Sequence, residues 1–324
     1  MSPIPGPERL SFAAIREAHE RIRDKIHRTP VMTSQTLSAA AGGQLHFKCE
    51  NLQKIGAFKA RGATNAVLLL PEAAASRGVA THSSGNHAAA VARAAKLRGI
   101  RAHIVMPHNA PKAKQASVRR YGGEIIFCEP TLEAREAAAR EIIERTGATL
   151  IHPFDNLDVM AGQGTAAIEL LEEVADLDIV LAPVGGGGLL SGTAVAAKTL
   201  KPSIKVIGTE PAGADDAARS FKAGRRIPLE RANTIADGLR TSLSERTFRE
   251  IHSWADDIVT VSEDAIVQAM RTIWEVMKII VEPSAAVPYA AIVEGKVDVA
   301  GRRVGIILSG GNLDLDALPW SRQE

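Results

Sequence analysis

The sequence of 324 residues is poor in aromatic side chains (4%) and holds only two cysteines; 39 Lys and Arg against 37 Asp and Glu leave a formal charge of +2. So even a balance excludes a protein whose main affinity comes from neutralising nucleic-acid phosphates. Cys49 and Cys128 stand apart in apolar stretches with no CxxC pair, which argues against a disulfide framework and for reduced, cytoplasmic chemistry. The opening MSPIPGPERL has prolines and charges where a secretory signal needs an apolar core, so none is expected there. Long hydrophobic runs are missing too. The longest uncharged window, Ile179 to Ala197, contains Pro183 and four consecutive glycines, unlike a lipid-spanning helix. What remains is a small-molecule enzyme with neither nucleic acid nor membrane as partner.

The hydrophobic set (45%) and the charged set (23%) are ordinary for a folded protein, and the length suits two domains. Short β-branched runs recur at VATH (79), AHIVM (102), EIIFC (124), DIVLAPV (178), KVIGT (205), DIVTV (257) and RVGIIL (303). Ala-rich segments with helical spacing lie between them: His87 to Leu97, Leu132 to Arg145, Gly162 to Val174 and Asp264 to Ile279. Strands alternating with helices predict an α/β protein with parallel sheets covered on both faces. There is no fixed-period repeat and no long linker. The three closely spaced strand and helix pairs between 78 and 152 predict an inserted small domain, with 1–77 and 153–324 forming the larger one.

Four motifs carry chemistry. Gly185-Gly186-Gly187-Gly188-Leu189 follows a buried-type strand and precedes an Ala-rich helix, where exposed amides and the helix dipole favour a phosphate. No Gly-Lys-Ser/Thr follows, so it is not a nucleotide P-loop, and GxGxxG fails at Leu190 and Ser191. Glu210 nevertheless ends the next strand about 25 residues on, the spacing of a ribose ligand, so a nicotinamide dehydrogenase stays open. Gly56-Ala57-Phe58-Lys59-Ala60-Arg61-Gly62 sets a lysine among small residues, where partial desolvation would lower its pKa and free its amine to form an imine. In Thr81-His82-Ser83-Ser84-Gly85-Asn86-His87, helix capping explains one polar residue but not the cluster. Leu308-Ser309-Gly310-Gly311-Asn312 again closes a strand, at the end where α/β sheets bind ligands.

In order and spacing these motifs resemble the fold type II pyridoxal-phosphate enzymes (the tryptophan synthase β-like fold of two open, twisted parallel-sheet domains), and most closely the serine racemase and serine/threonine dehydratase branch, from about Phe12 to Leu318. The resemblance implies that Lys59 carries the cofactor pyridoxal 5'-phosphate covalently and acts as general base. Gly185, Gly186, Gly187, Gly188 and Leu189 would hold its phosphate, Asn86 its 3'-oxygen, and Phe58 its ring, with Ser309 facing the pyridine nitrogen. A hydroxyl there enforces ring protonation less than a carboxylate would, which suits elimination of a β-substituent. Ser84 matches the acid/base of serine racemases on the face opposite Lys59. Ser83, Ser84, Gly85 and His87 would bind the substrate carboxylate, and Arg135 matches an arginine that faces substrate. Glu210, the carbonyl of Ala214, and Asp216 match a divalent-cation site suited to Mg or Mn. A homodimer is implied.

The sequence departs from the family at Ala57 (usually serine), Ala89 (often glutamine) and Phe154 (polar in some racemases), which leaves the substrate open. The chain stops soon after SGGN, so the isoleucine-responsive regulatory domain of biosynthetic threonine dehydratases is not expected. The leading expectation is a dehydratase and ammonia-lyase acting on L-serine, L-threonine or 3-hydroxyaspartate to give an oxo acid and ammonia, with possible racemisation. A primary serine racemase, a β-replacement enzyme of the same fold and a silent ligand sensor are its rivals.

Overall fold

A computed structural model describes residues 8–83, 85–110 and 112–321. Among them, ten strands form two sheets: β1 (Val31–Thr33), β2 (Gln44–Cys49), β3 (Val79–His82), β4 (Ala102–Pro107), β5 (Glu124–Cys128), β6 (Thr149–Leu150), β7 (Ile179–Pro183), β8 (Lys205–Pro211), β9 (Asp257–Val261) and β10 (Arg303–Leu308). The larger sheet has the order β1-β2-β10-β7-β8-β9 and the smaller β5-β4-β3-β6. Every strand of the smaller sheet lies between Val79 and Leu150.

All seven β-branched runs are strands. The central strand β7 shows why they were easy to read. Ile179 and Leu181 face a helical layer containing Met270, Ala286 and Ala290, whereas Val180 and Ala182 face Leu170, Leu190 and Ala194 on the other side. A strand buried on both faces has to be continuously apolar. Three strands escaped the sequence. β6 has two residues; β1 is a short edge strand and pairs antiparallel with β2, the exception in otherwise parallel sheets. In β2 a fully buried lysine, Lys48, interrupts the apolar pattern.

That lysine belongs to a buried ionic cluster beneath the Lys59–Leu69 helix. Arg61 lies at zero exposure and forks onto Glu50 (Nε to Oε2 2.7 Å, Nη2 to Oε1 2.8 Å) and Glu169 (Nη1 to Oε1 2.8 Å, Nη2 to Oε2 2.7 Å). Lys48 Nζ donates to Glu169 Oε2 and to the Thr29 carbonyl, both at 2.6 Å, and Thr29 Oγ1 donates to Glu50 Oε1. Two cations thus meet two carboxylates with their hydrogen-bonding capacity largely filled, which is what permits such a group to be dry. The helix is held further by Gln163 Oε1, which accepts from Gly62 N at 3.1 Å, and by Asn65 Nδ2, which donates to the Asp158 carbonyl at 2.8 Å. Both bonds reach the Leu157–Glu173 helix, against which the Gly188–Leu200 helix also packs. The lysine motif and the glycine loop therefore refer to one support.

Arg61→Ala should destabilise the protein by about 3–5 kcal/mol, because it strands two buried carboxylates. Breaking the exposed Arg28–Glu172 pair with Glu172→Ala should cost less than about 1 kcal/mol. Urea unfolding of both variants checks the contrast.

Candidate active site

Lys59 opens its helix immediately after a left-handed turn at Ile55 (φ 61°) and Gly56 (φ 73°). The turn is fastened to the SGGN segment by backbone bonds: Gly311 N to the Gly56 carbonyl at 2.9 Å, Phe58 N to the Ser309 carbonyl at 3.0 Å, and a β-bridge between Ala57 and Gly310. Asn312 Nδ2 donates to the Ile55 carbonyl (2.7 Å) and to Asn86 Oδ1 (2.9 Å), and Asn86 Nδ2 donates to Glu282 (2.9 and 3.2 Å). The fold thus brings the lysine, SxGNH and SGGN motifs to one cleft. The glycine loop joins them through residues 153–154, since Lys59 Nζ donates to the Pro153 carbonyl at 2.7 Å and the Phe154 ring lies on Gly186. A Cβ on Gly186 would sit 2.2 Å from that ring, so the loop needs glycine there.

The electrostatics suit an anionic, carbonyl-bearing ligand. Burial lowers the Lys59 ammonium to about 8, and among the described residues no carboxylate is close enough to restore it. The neutral, nucleophilic amine therefore appears as pH rises through about 8, well before it would on an ordinary lysine. The Lys59 nitrogen stands 5.1 Å from the centroid of the Phe58 ring. Three nearby histidines stay neutral. Burial takes His152 down to about 4, and its Nδ1 accepts from Asp155 N (2.9 Å); burial and the Arg135 charge lower His82. His87 is pushed well below its usual value by burial; its Nε2 pairs with the Ile151 carbonyl at 2.8 Å and its buried Nδ1 has no partner among the described residues. Since a carbonyl only accepts, Nε2 carries the proton and Nδ1 remains an acceptor. The cap of the Gly188–Leu200 helix is Gly187, at φ 87° and with no side chain to offer, so the amides of the first turn stay open to an anion.

The remaining candidates are spread around this cleft. Gly85 caps the Asn86–Arg98 helix, again without a side-chain cap, and its amide is 3.3 Å from Ser83 Oγ. Ser84 lies outside the described residues. Ser309 is buried. Arg135 is half-buried, donates to the Thr131 carbonyl at 3.3 Å, and among the described residues pairs with no carboxylate. Glu210, Ala214 and Asp216 are fully buried at a separate position. The Glu210 carboxylate accepts from Ala217 N (3.1 Å) and Ala218 N (2.9 Å), and its complete burial leaves no room for a ribose there, which undercuts the dehydrogenase reading. Sequence reasoning missed Glu282 and the Pro153 carbonyl. Glu282 precedes a proline at a helix start, the pattern of an ordinary cap, and a carbonyl leaves no mark on a sequence. A cavity of about 420 Å³ opens beside Asn86, bordered by Gly85, Lys114, Asp237, Arg240 and Asn312.

The profile of the family described as "Pyridoxal-phosphate dependent enzyme" matches residues 22–310. The chain belongs to that family. The fold type II architecture is shown by its relatives. The chain is 50% identical to a serine racemase of Dictyostelium discoideum over 315 residues, covering 95% of this chain and 97% of the other. It is 51% identical to a beta-hydroxyaspartate dehydratase of Paracoccus denitrificans over 304 residues, covering 94% and 96%. The solved structure of maize serine racemase superposes with a TM-score of 0.93 at 49% identity, covering 95% of each chain.

The Gly186 contact yields a two-position test. Gly186→Ala should weaken pyridoxal-phosphate binding roughly 5 to 150-fold by displacing Phe154 from the loop, since overpacking of this kind costs about 1–3 kcal/mol. Adding Phe154→Ala should recover much of the loss. Cofactor titration by fluorescence separates the two variants.

Proposed function

We propose that this protein is a dehydratase and ammonia-lyase for small β-hydroxy amino acids, with 3-hydroxyaspartate favoured and amino-acid racemisation as a companion activity. The observation that carries the reading is the desolvated Lys59 amine, without a counter-ion and converging with the open helix end at Gly187. The residues present fit the cofactor: uncapped amides for its phosphate, a lysine primed for its carbonyl, and an Asn86 amide held in place for its 3'-oxygen. When bound, pyridoxal phosphate supplies the electron sink that makes an α-proton removable. The chain supplies position and proton movement. Lys59 takes the α-proton, Ser83, Gly85 and the start of the Asn86–Arg98 helix hold the α-carboxylate, and Phe154 keeps water off the phosphate loop. Loss of the β-hydroxyl as water leaves an enamine, whose hydrolysis gives the oxo acid and ammonia.

Arg135 supports the dicarboxylic preference. The α-carboxylate already has the Ser83–His87 loop, so a guanidinium beside His82 with no carboxylate partner is free for a second acidic group. The Paracoccus relative is named for such a substrate. The racemase names of the other relatives favour the second reading, for which Ser84 would act opposite Lys59.

The finer readings follow from the same sources. Glu210 and Asp216, with the Ala214 carbonyl, would hold Mg or Mn. Burial drives Asp216 up to about 6 and Glu210 well above its usual value, and Asp216 Oδ1 is buried with no partner, so a cation would relieve both. No trio of His, Cys, Asp or Glu among the described residues is arranged as a metal site, so the third protein ligand would be that carbonyl. Asp216 Oδ2 also accepts from Leu243 N (3.1 Å), and Leu243 packs against Gly187, which gives the cation a route to firming the phosphate loop. Residues 78–152 would move as the small domain. Among the described residues no helix is long and apolar enough to cross a membrane, and both cysteines are unpaired, in keeping with a cytoplasmic site. Assembly as a homodimer rests on the resemblance.

Lys59→Ala should abolish oxo-acid formation while retaining cofactor non-covalently, since several backbone amides share the phosphate; turnover without added amine would refute the assignment. Arg135→Ala should lower kcat/KM for 3-hydroxyaspartate roughly 10 to 150-fold, the value of a partly desolvated charge pair at about 1.5–3 kcal/mol, and lower that for serine much less. An assay of serine, threonine and 3-hydroxyaspartate, in both enantiomers, for oxo acid and for inverted product tests both. Equal impairment of the two substrates would remove the dicarboxylic preference.

A further inference from the structure

Glu282 is buried at 3% exposure, at the end of a directional chain of hydrogen bonds. The chain starts at the Ile55 carbonyl, which can only accept, so the Asn312 side-chain nitrogen must face it. The same nitrogen gives its other hydrogen to Asn86 Oδ1, which turns Asn86 Nδ2 toward Glu282. Asn312 N adds a second donor, to Glu282 Oε2 at 3.2 Å, and Glu282 N donates to the Gly310 carbonyl at 3.0 Å. The packing is cut to the carboxylate: a Cβ at Gly310 would stand 2.6 Å from Glu282 Oε1. Both bonds to Glu282 leave from Asn86 Nδ2, so Glu282 and Asn312 together set the orientation of the Asn86 amide.

We propose that Glu282 is a positioning residue which, through Asn86, fixes the donor offered to the 3'-oxygen of the cofactor and places a negative charge behind it that raises the proton affinity of the lysine-bound cofactor. This rests on the cofactor reading above and adds to it a residue that touches neither substrate nor cofactor. The groups facing Glu282 come from four elements: Asn86 at the start of its helix, Lys114 on the Lys112–Arg120 helix, Asp237 in the short turn Asp237–Leu239, and Asn312 after β10. Lys114 pairs with Asp237, so the cation nearest Glu282 is largely neutralised. Burial, then Asp237, lift Glu282 to about 7, against the bonds from Asn86 and Asn312 and the charge of Lys114. A carboxyl poised there titrates together with its neighbours, and above neutrality its charge opposes loss of a proton from the cofactor side.

Two substitutions separate charge from geometry. Glu282→Gln removes the charge and keeps the length. The pH at which the visible absorption of the lysine-bound cofactor changes form should fall by about one unit, because a nearby anion no longer favours the protonated form. Glu282→Asp keeps the charge but draws it back from Asn86. Cofactor affinity should drop about tenfold, the loss of one charge-assisted hydrogen bond, while the spectral midpoint stays near that of the parent. An unchanged midpoint in a cofactor-loaded glutamine variant, or parental cofactor affinity in the aspartate variant, overturns the proposal. Should the glutamine variant not fold, the aspartate arm decides alone. A parent protein that takes up no cofactor would instead sink the underlying reading, so the two failures are distinguishable.

Discussion

Everything in this cleft follows from keeping an ammonium group out of water without giving it a counter-ion. A carboxylate beside Lys59 would hold the charge and silence the amine, and open solvent would do the same. The protein instead offers one carbonyl, from Pro153, and surrounds the amine with groups that stay neutral: Phe58, His87 and His152. That choice has a cost in stability, borne by the rest of the domain. The Arg61 cluster, two residues further along the same helix, is the opposite case, a set of dry charges fully compensated by one another. The helix is pinned by its saturated side, so its unsaturated end can remain reactive.

The two sheets are joined at the cleft by polar contacts. Asn86 meets Glu282 and Asn312, and Lys114 meets Asp237. Such contacts have direction and exchange readily with water, unlike the apolar layers inside each sheet.

Much of this was legible in the sequence, and the reasons are local. A strand such as Ile179–Pro183, buried on both faces, reads as an apolar run, and the turn at Gly185–Gly188 shows itself by its glycines. What stayed hidden was relational. Lys48 made β2 look unlike a strand because the carboxylate that neutralises it, Glu169, lies 121 residues away. Glu282 drew no notice because its partners, Asn86 and Asn312, come from other parts of the chain. Glu210 had the spacing of a ribose ligand, and only the amides of Ala217 and Ala218 reveal where its oxygens go. Motifs bring their own neighbours with them, whereas buried charges are explained by residues the sequence leaves far off.

The same separation bears on the order in which the molecule is assembled. The smaller sheet is complete within residues 79–150, and its contacts close over short stretches of chain. The ionic cluster under Lys59 is not: Arg61 and Lys48 wait for Glu169, 108 and 121 residues later. On a growing chain, where domains tend to fold as units and long loops close late, the inserted sheet can form while the segment that carries the lysine has Glu50 for Arg61 but still lacks Glu169. The reactive helix is then set in place late in folding, when the support beneath it has arrived.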